Sequence, residues 1–187
     1  LDNENFPEKG KILFTGSSSI RFWDSLEEDM EPLEVLNRGF GGAQISHVIY
    51  HFEEIIKPYD PKAIVFFCGT NDLTALKTPE ETVHDFKKFY SLIRNQFGNI
   101  KVYMIGIKPS VERFYLDEEE KIFNNSIKLL ASEDAYLEYI DVWDSMLNED
   151  GSRMPELYIE DGLHMNKKGY EVWTKLVRKS LLKDFNI

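Results

Sequence analysis

The chain of 187 residues has a single cysteine, Cys68, so no internal disulfide can form and the cysteine carries no information about redox compartment. Cys68 ends the apolar run Ile64-Val-Phe-Phe-Cys68 and reads as a small buried hydrophobe rather than a nucleophile. No stretch approaches the ~20 apolar residues of an integral membrane segment. Basic residues are in deficit: 22 Lys and Arg against 33 Asp and Glu give a formal charge of −11. That balance argues against a nucleic-acid partner, since a duplex-binding surface normally needs a basic patch, and slows encounter with anionic membranes or polyanionic substrates. Gly/Ser linkers, low-complexity tracts and internal repeats are also missing. No signal peptide is recognised, but the chain opens at Leu1 rather than Met, which leaves the compartment open between cytoplasmic and extracytoplasmic.

What is present fits one globular domain over residues 1–187, with 42% hydrophobic and 29% charged residues. Short apolar runs at Lys11–Thr15, Leu33–Leu36, Ala63–Phe67, Lys101–Ile105 and Leu137–Ile140 read as strands covered on both faces. Between them, Ser46–Ile56, Glu80–Phe97, Asp117–Ala131 and Lys168–Leu182 have helical spacing, and a shorter helix follows Ser18. Asp117-Glu-Glu-Glu120 places four carboxylates where a helix dipole favours negative charge. Strands alternating with helices predict an α/β fold with a parallel sheet and helices on both faces. Ligands in such folds bind beyond the carboxyl ends of the strands.

Several chemistry-bearing residues follow those strands. Ser18 lies in Gly16-Ser-Ser-Ser-Ile20, directly after the first run. Gly42 closes Asn37-Arg-Gly-Phe-Gly-Gly42, Asn71 lies in Gly69-Thr-Asn-Asp72, and Asp161-Gly-Leu-His164 comes late in the chain. Serine, histidine and aspartate are the parts of a nucleophilic hydrolase, in which histidine takes the serine proton and aspartate orients the histidine. A glycine N–H and an asparagine amide are donors suited to a tetrahedral oxyanion. Taken singly, each has a plainer reading: Ser18 as a helix-capping turn, the glycines as turn formers, Asp161 as a cap and His164 as a solvated side chain. Neither the Gly-x-Ser-x-Gly elbow nor a Gly-Lys-Ser/Thr phosphate loop is matched. His47 and His51 are four apart, but no glutamate follows the first and no third ligand is obvious, so they read as helix-surface or partly buried residues, as does His84. The sequon Asn124-Asn-Ser126 falls in a predicted helix and reads as chance.

With these four blocks in order along the chain, the sequence resembles the SGNH hydrolases, the GDSL-type esterases and lipases. The resemblance implies a three-layer α/β/α sandwich, flavodoxin-like, with a central parallel sheet of about five strands. It implies Ser18 as nucleophile, His164 as general base and acid, and Asp161 as its orienting partner. It also implies Ser18 N–H, Gly42 N–H and Asn71 as the oxyanion hole, with no metal or cofactor. The family's Gly-Asp-Ser-Leu is departed from at Ser17 and Ser19, while the serine itself is kept. Ile105-Gly-Ile-Lys-Pro-Ser110, together with Asn37-Arg-Gly-Phe-Gly-Gly42, looks like a bacterial branch that carries Gly-Ser-Ser in place of Gly-Asp-Ser, near the platelet-activating-factor acetylhydrolase-like and carbohydrate acetylesterase branches. The expected substrate is a small-molecule or carbohydrate ester with a short acyl group, because the chain leaves no room for a large lid. Loop residues Phe40, Lys108, Arg113, Phe114, Tyr115 and Arg153 are expected to shape its pocket. An acyltransferase using the same acyl-serine, or a silent carbohydrate-binding protein on the same fold, are the alternatives. Oligomeric state is left open.

Overall fold

The computed structural model describes residues 6–185. In chain order its strands and α-helices are β1 (Ile12–Gly16), α1 (Ser18–Arg21), α2 (Leu26–Met30), β2 (Val35–Gly39), α3 (Ile45–Tyr50), α4 (Phe52–Ile55) and β3 (Ala63–Phe67). There follow α5 (Thr70–Thr74), α6 (Pro79–Phe97), β4 (Lys101–Ile105), α7 (Asp117–Glu133), β5 (Leu137–Ile140) and α8 (Lys167–Asp184). The strands form one sheet of order β2-β1-β3-β4-β5, every neighbouring pair parallel. This is the flavodoxin-like order, whose direction of winding reverses between β1 and β3.

Period-two alternation along the strands builds two cores. Ile12 and Phe14 of β1, Ala63, Val65 and Phe67 of β3, and Tyr103 and Ile105 of β4 face α1, α2 and α8. Leu13, Ile64, Phe66, Val102 and Met104 face the opposite layer, α3 to α7. Both faces are therefore apolar, which is why these strands read as unbroken hydrophobic runs. The long helices begin at defined caps. Thr78 Oγ1 accepts from Glu81 N at 3.2 Å while the Glu81 carboxylate accepts from Thr78 N at 2.8 Å, with Pro79 as the first helical residue. The Asn166 side chain accepts from Lys168 N and Gly169 N to start α8, whose Trp173, Val177 and Leu181 are fully buried.

Three expectations shift. The second strand is Val35–Gly39, not Leu33–Leu36: polar Asn37 and Arg38 pair with Phe14 and Thr15, while Leu33 closes a turn onto Met30 O and packs beneath α2. An edge strand can carry such polar residues because one of its flanks is open to water. The helix expected over 46–56 is two, interrupted at His51, whose ψ of 8° departs from helical geometry. A short helix not among the expected elements, α5, holds Asn71.

The carboxyl end of β1 turns tightly. Gly16 has φ +126°, and a Cβ built there would lie 1.9 Å from Phe67 O, the same carbonyl that accepts the Ser17 N–H at 2.9 Å. Gly16→Ala should lower unfolding free energy by more than about 3 kcal/mol, measured by urea denaturation. An unchanged midpoint would contradict this tight crossing.

Candidate active site

The turn after β1 makes Ser18 the first residue of α1, half-buried at the carboxyl edge of the sheet. Its Oγ lies 2.9 Å from His164 Nε2, and His164 Nδ1 lies 2.6 Å from Asp161 Oδ2. The other Asp161 oxygen accepts the backbone N–H groups of Leu163 and His164 at 2.9 and 2.8 Å. One carboxylate thus folds the loop and holds the ring. Being ionised, it can only accept, so Nδ1 carries the ring proton and Nε2 turns its lone pair to the serine hydroxyl. Burial works to raise the Asp161 pKa, but the bonds from the His164 ring and from the two backbone N–H groups outweigh it and hold the carboxyl below its ordinary value.

The segment after β4 clamps this loop. Val111 N and Glu112 N donate to Gly162 O at 2.9 and 3.1 Å, and Lys108 Nζ donates to Leu163 O at 2.6 Å. Gly162 has φ +64°, and a Cβ there would lie 3.1 Å from that of Val111, so the contact is close in both backbone and space. Phe22 stands edge-on to the His164 ring at 5.1 Å.

A pocket of about 230 Å³ opens above Ser18, with Gly42, Asn71, Phe22, Arg113 and His164 among its walls. Asn71 Nδ2 donates to Ala43 O at 3.0 Å, and Asn71 Oδ1 accepts from Arg113 Nη1 at 3.0 Å. Asp72, fully buried, accepts from Ile45 N and from Lys77 Nζ at 2.7 Å, pinning the start of α3 to α5 and with it the Gly41–Gln44 turn. Cys68 is buried with its thiol donating to Ala43 O, and burial pushes its pKa well up.

The structure therefore brings Ser18, Gly42, Asn71, Asp161 and His164 together. The loop residues expected to shape the pocket divide. Lys108 and Arg113 line it. Lys108 is buried, its pKa lowered to about 8 by that burial, and its ammonium is engaged by a backbone carbonyl. Phe40, Phe114, Tyr115 and Arg153 are not among the walls. Phe40 packs on the core and the His51 ring, Phe114 and Tyr115 project into solvent from a 3₁₀ turn, and Arg153 is paired with Asp117 and donates to Ser110 O. His47 closes the cap of α3 with Gln44, and Asn124, buried in α7, bonds both polar backbone atoms of Ile107.

Sequence reasoning missed Phe22, Thr70 and Glu120. Glu120 was grouped with the dipole-facing carboxylates, yet it is 1% exposed, accepts from Thr70 Oγ1 at 2.7 Å and leaves Oε2 without a partner. The signal was its register: 120, 123, 124 and 127 form the buried stripe of α7. Burial raises its pKa to about 7, against lowering by the Thr70 bond and the Lys108 charge. The folded state consequently holds a proton that the unfolded chain releases near the ordinary value of 4.5. Stability from this group is present below that value and lost as pH rises through about 7. Glu120→Gln should match the wild type at low pH and become progressively more stable than it across that window, read from urea midpoints. Parallel pH profiles would contradict the assignment.

A flavodoxin-like α/β/α sandwich with a hydrogen-bonded serine, histidine and carboxylate at the carboxyl edge of its sheet defines a hydrolase-type protein. The sequence profile of the GDSL-like Lipase/Acylhydrolase family matches residues 14–172, and the chain belongs to that family, within the SGNH hydrolases. Platelet-activating factor acetylhydrolase IB subunit alpha2 of Homo sapiens is 26% identical over 165 residues, covering 85% of this chain and 70% of the relative. N-acylneuraminate cytidylyltransferase of Escherichia coli is 27% identical over 171 residues, covering 89% of this chain but 39% of that protein, so the chain spans less than half of it. Among solved structures, a GDSL-like lipase from Bacteroides thetaiotaomicron superposes with TM-score 0.79 at 21% identity, covering 94% of this chain and 89% of that one. A carbohydrate esterase family 3 protein from Talaromyces cellulolyticus superposes with TM-score 0.73 at 14% identity, covering 94% and 97%. At these identities the structural likeness is one of fold. No helix among the described residues is long and apolar enough to cross a membrane.

Proposed function

We propose that the protein hydrolyses short-chain acyl esters, acetyl esters foremost, through an acyl intermediate on Ser18. The observation that carries this reading is the row from Asp161 through His164 to Ser18, with contacts of 2.6 and 2.9 Å. His164 Nε2 takes the Ser18 proton as Oγ attacks the ester carbonyl, and Asp161 stabilises the imidazolium that forms. The tetrahedral oxygen is held by the N–H groups of Ser18 and Gly42 and by Asn71 Nδ2. His164 then gives its proton to the departing alcohol. Water attacks the acyl-serine with His164 again as base, releasing the acid and restoring the serine.

Pocket size supports a short acyl group: about 230 Å³ is below the range usual for drug-sized ligands. Beside it, sharing Phe22 as a wall, runs a groove of about 540 Å³ whose charged walls are Asp24, Glu28, Asp29 and Glu171 against Lys167 alone, with Ser25 and Asn166. Carboxylates there accept hydrogen bonds and repel anions, which favours a neutral, hydroxyl-rich alcohol such as a sugar over a fatty chain. The acetylhydrolase named among the relatives is consistent with an acetyl group.

Ser18→Ala should abolish hydrolysis of p-nitrophenyl acetate while leaving the thermal transition in place; retained turnover would overturn the mechanism. Asn71→Ala should cost about 2.7–4 kcal/mol of transition-state stabilisation, as loss of an oxyanion donor does elsewhere. Across p-nitrophenyl esters, rates should fall from acetate to palmitate, and a steady rise with chain length would contradict the pocket assignment.

A further inference from the structure

We infer that Arg113 is a positioning residue for the oxyanion donor Asn71, fixing which way its amide faces and strengthening its N–H as a donor. The inference rests on the hydrolytic reading above and names a residue that reading does not require.

The geometry is a directed chain of hydrogen bonds. Arg113 Nη1 donates to Asn71 Oδ1 at 3.0 Å and to Thr70 Oγ1 at 3.3 Å. Thr70 Oγ1 in turn donates to Glu120 Oε1 at 2.7 Å, so its proton is committed and its lone pair faces the guanidinium. On the far side of the amide, Asn71 Nδ2 donates to Ala43 O at 3.0 Å. A guanidinium can only donate and a carbonyl oxygen can only accept. Turning the Asn71 amide over would set donor against donor at Arg113 and acceptor against acceptor at Ala43, losing both bonds. The amide therefore has one orientation. Ala43 O uses one of its two N–H bonds and leaves the second for the pocket that Asn71 shares with Ser18 and Gly42.

Charge adds to orientation. Arg113 is permanently protonated, and a cation bonded to an amide oxygen draws density from the nitrogen, making its remaining N–H a stronger donor. That gain is realised where negative charge develops, on the tetrahedral oxygen, more than on the neutral ester. Loss of Arg113 should accordingly fall on kcat rather than KM. The clamp on the His164 loop does not use this side chain: it consists of Val111 N, Glu112 N and Lys108 Nζ. Arg113 variants should keep the fold and the Ser18–His164 contact.

The test is a double-mutant cycle on the neutral ester p-nitrophenyl acetate. It compares wild type, Arg113→Gln, Asn71→Ala and the double variant, with Ser18→Ala as the reference for activity at this site. Arg113→Gln is expected to lower kcat about 10-fold or more with KM nearly unchanged. Added to Asn71→Ala, it should lower kcat by less than about 3-fold, because the group it positions is gone. Arg113→Lys, which keeps the charge without the planar fork, should regain part of the loss. Should Arg113→Gln fail to fold, the same cycle run with Arg113→Lys makes the same comparison. Equal fold-losses in both Asn71 backgrounds, a change confined to KM, or no loss at all would overturn the inference while an inactive Ser18→Ala upheld the hydrolytic reading. An active Ser18→Ala would overturn both.

Discussion

The contact between Ser18 Oγ and His164 Nε2 is 2.9 Å long and joins residues 146 apart in the chain. Much of the architecture around it can be understood as what keeps that distance. The serine end is fixed by the sheet, where β1 crosses β3 so closely that only glycine fits at position 16 and Ser17 N–H is tied to Phe67 O. The histidine end is fixed by a loop folded on Asp161 and clamped by backbone from the segment after β4. Between the two, Tyr170 and Trp173 of α8 pack on Trp23 in the turn after α1, and Tyr170 donates to Ser19 O of α1 at 2.9 Å. Such redundancy matches what acyl transfer requires, since a misplacement of about 1 Å can cost about 100-fold in rate.

Apolar packing and polar chemistry are separated by height along the strands. The middle of each central strand, β1, β3 and β4, faces two apolar cores, whereas the carboxyl edge carries buried polar groups: Asp72, Lys108, Glu120 and Asn124. Burial raises the carboxyl of Glu120 and lowers the ammonium of Lys108, so folding disfavours the charged form of each. Their bonds reach the elements that matter at the site, Lys108 to the carbonyl before His164 and Glu120 through Thr70 to Arg113. The cost is concentrated where positions must be held, a pattern common to functional sites.

How much of this was legible in the sequence follows from which signals are local. Strands β1, β3, β4 and β5 were readable because both of their faces are covered, and α6 because Val83, Phe86, Phe89 and Ile93 keep helical period. Strand β2 was displaced by its own chemistry: Asn37 and Arg38 look like loop residues, yet they pair with β1 while Asn37 ties Ile20 O and Gly39 N. The residues that converge at the pocket were visible as short blocks after strands. Their supports were not, because Thr70, Glu120 and Arg113 meet only when α5 and α7 pack together. The expected pocket rim failed at Phe114, Tyr115 and Arg153 for the complementary reason. Exposure, or an ion pair to the start of α7, is decided by tertiary geometry that composition does not encode.

The most direct test of the central claim, that Ser18 is a nucleophile activated by His164, is covalent labelling with a fluorophosphonate followed by peptide mass spectrometry. The account predicts a single adduct, on the peptide containing Ser18, formed quickly by the wild type and far more slowly by His164→Ala. A folded wild-type protein that takes no label, or that takes it at another residue, would contradict it.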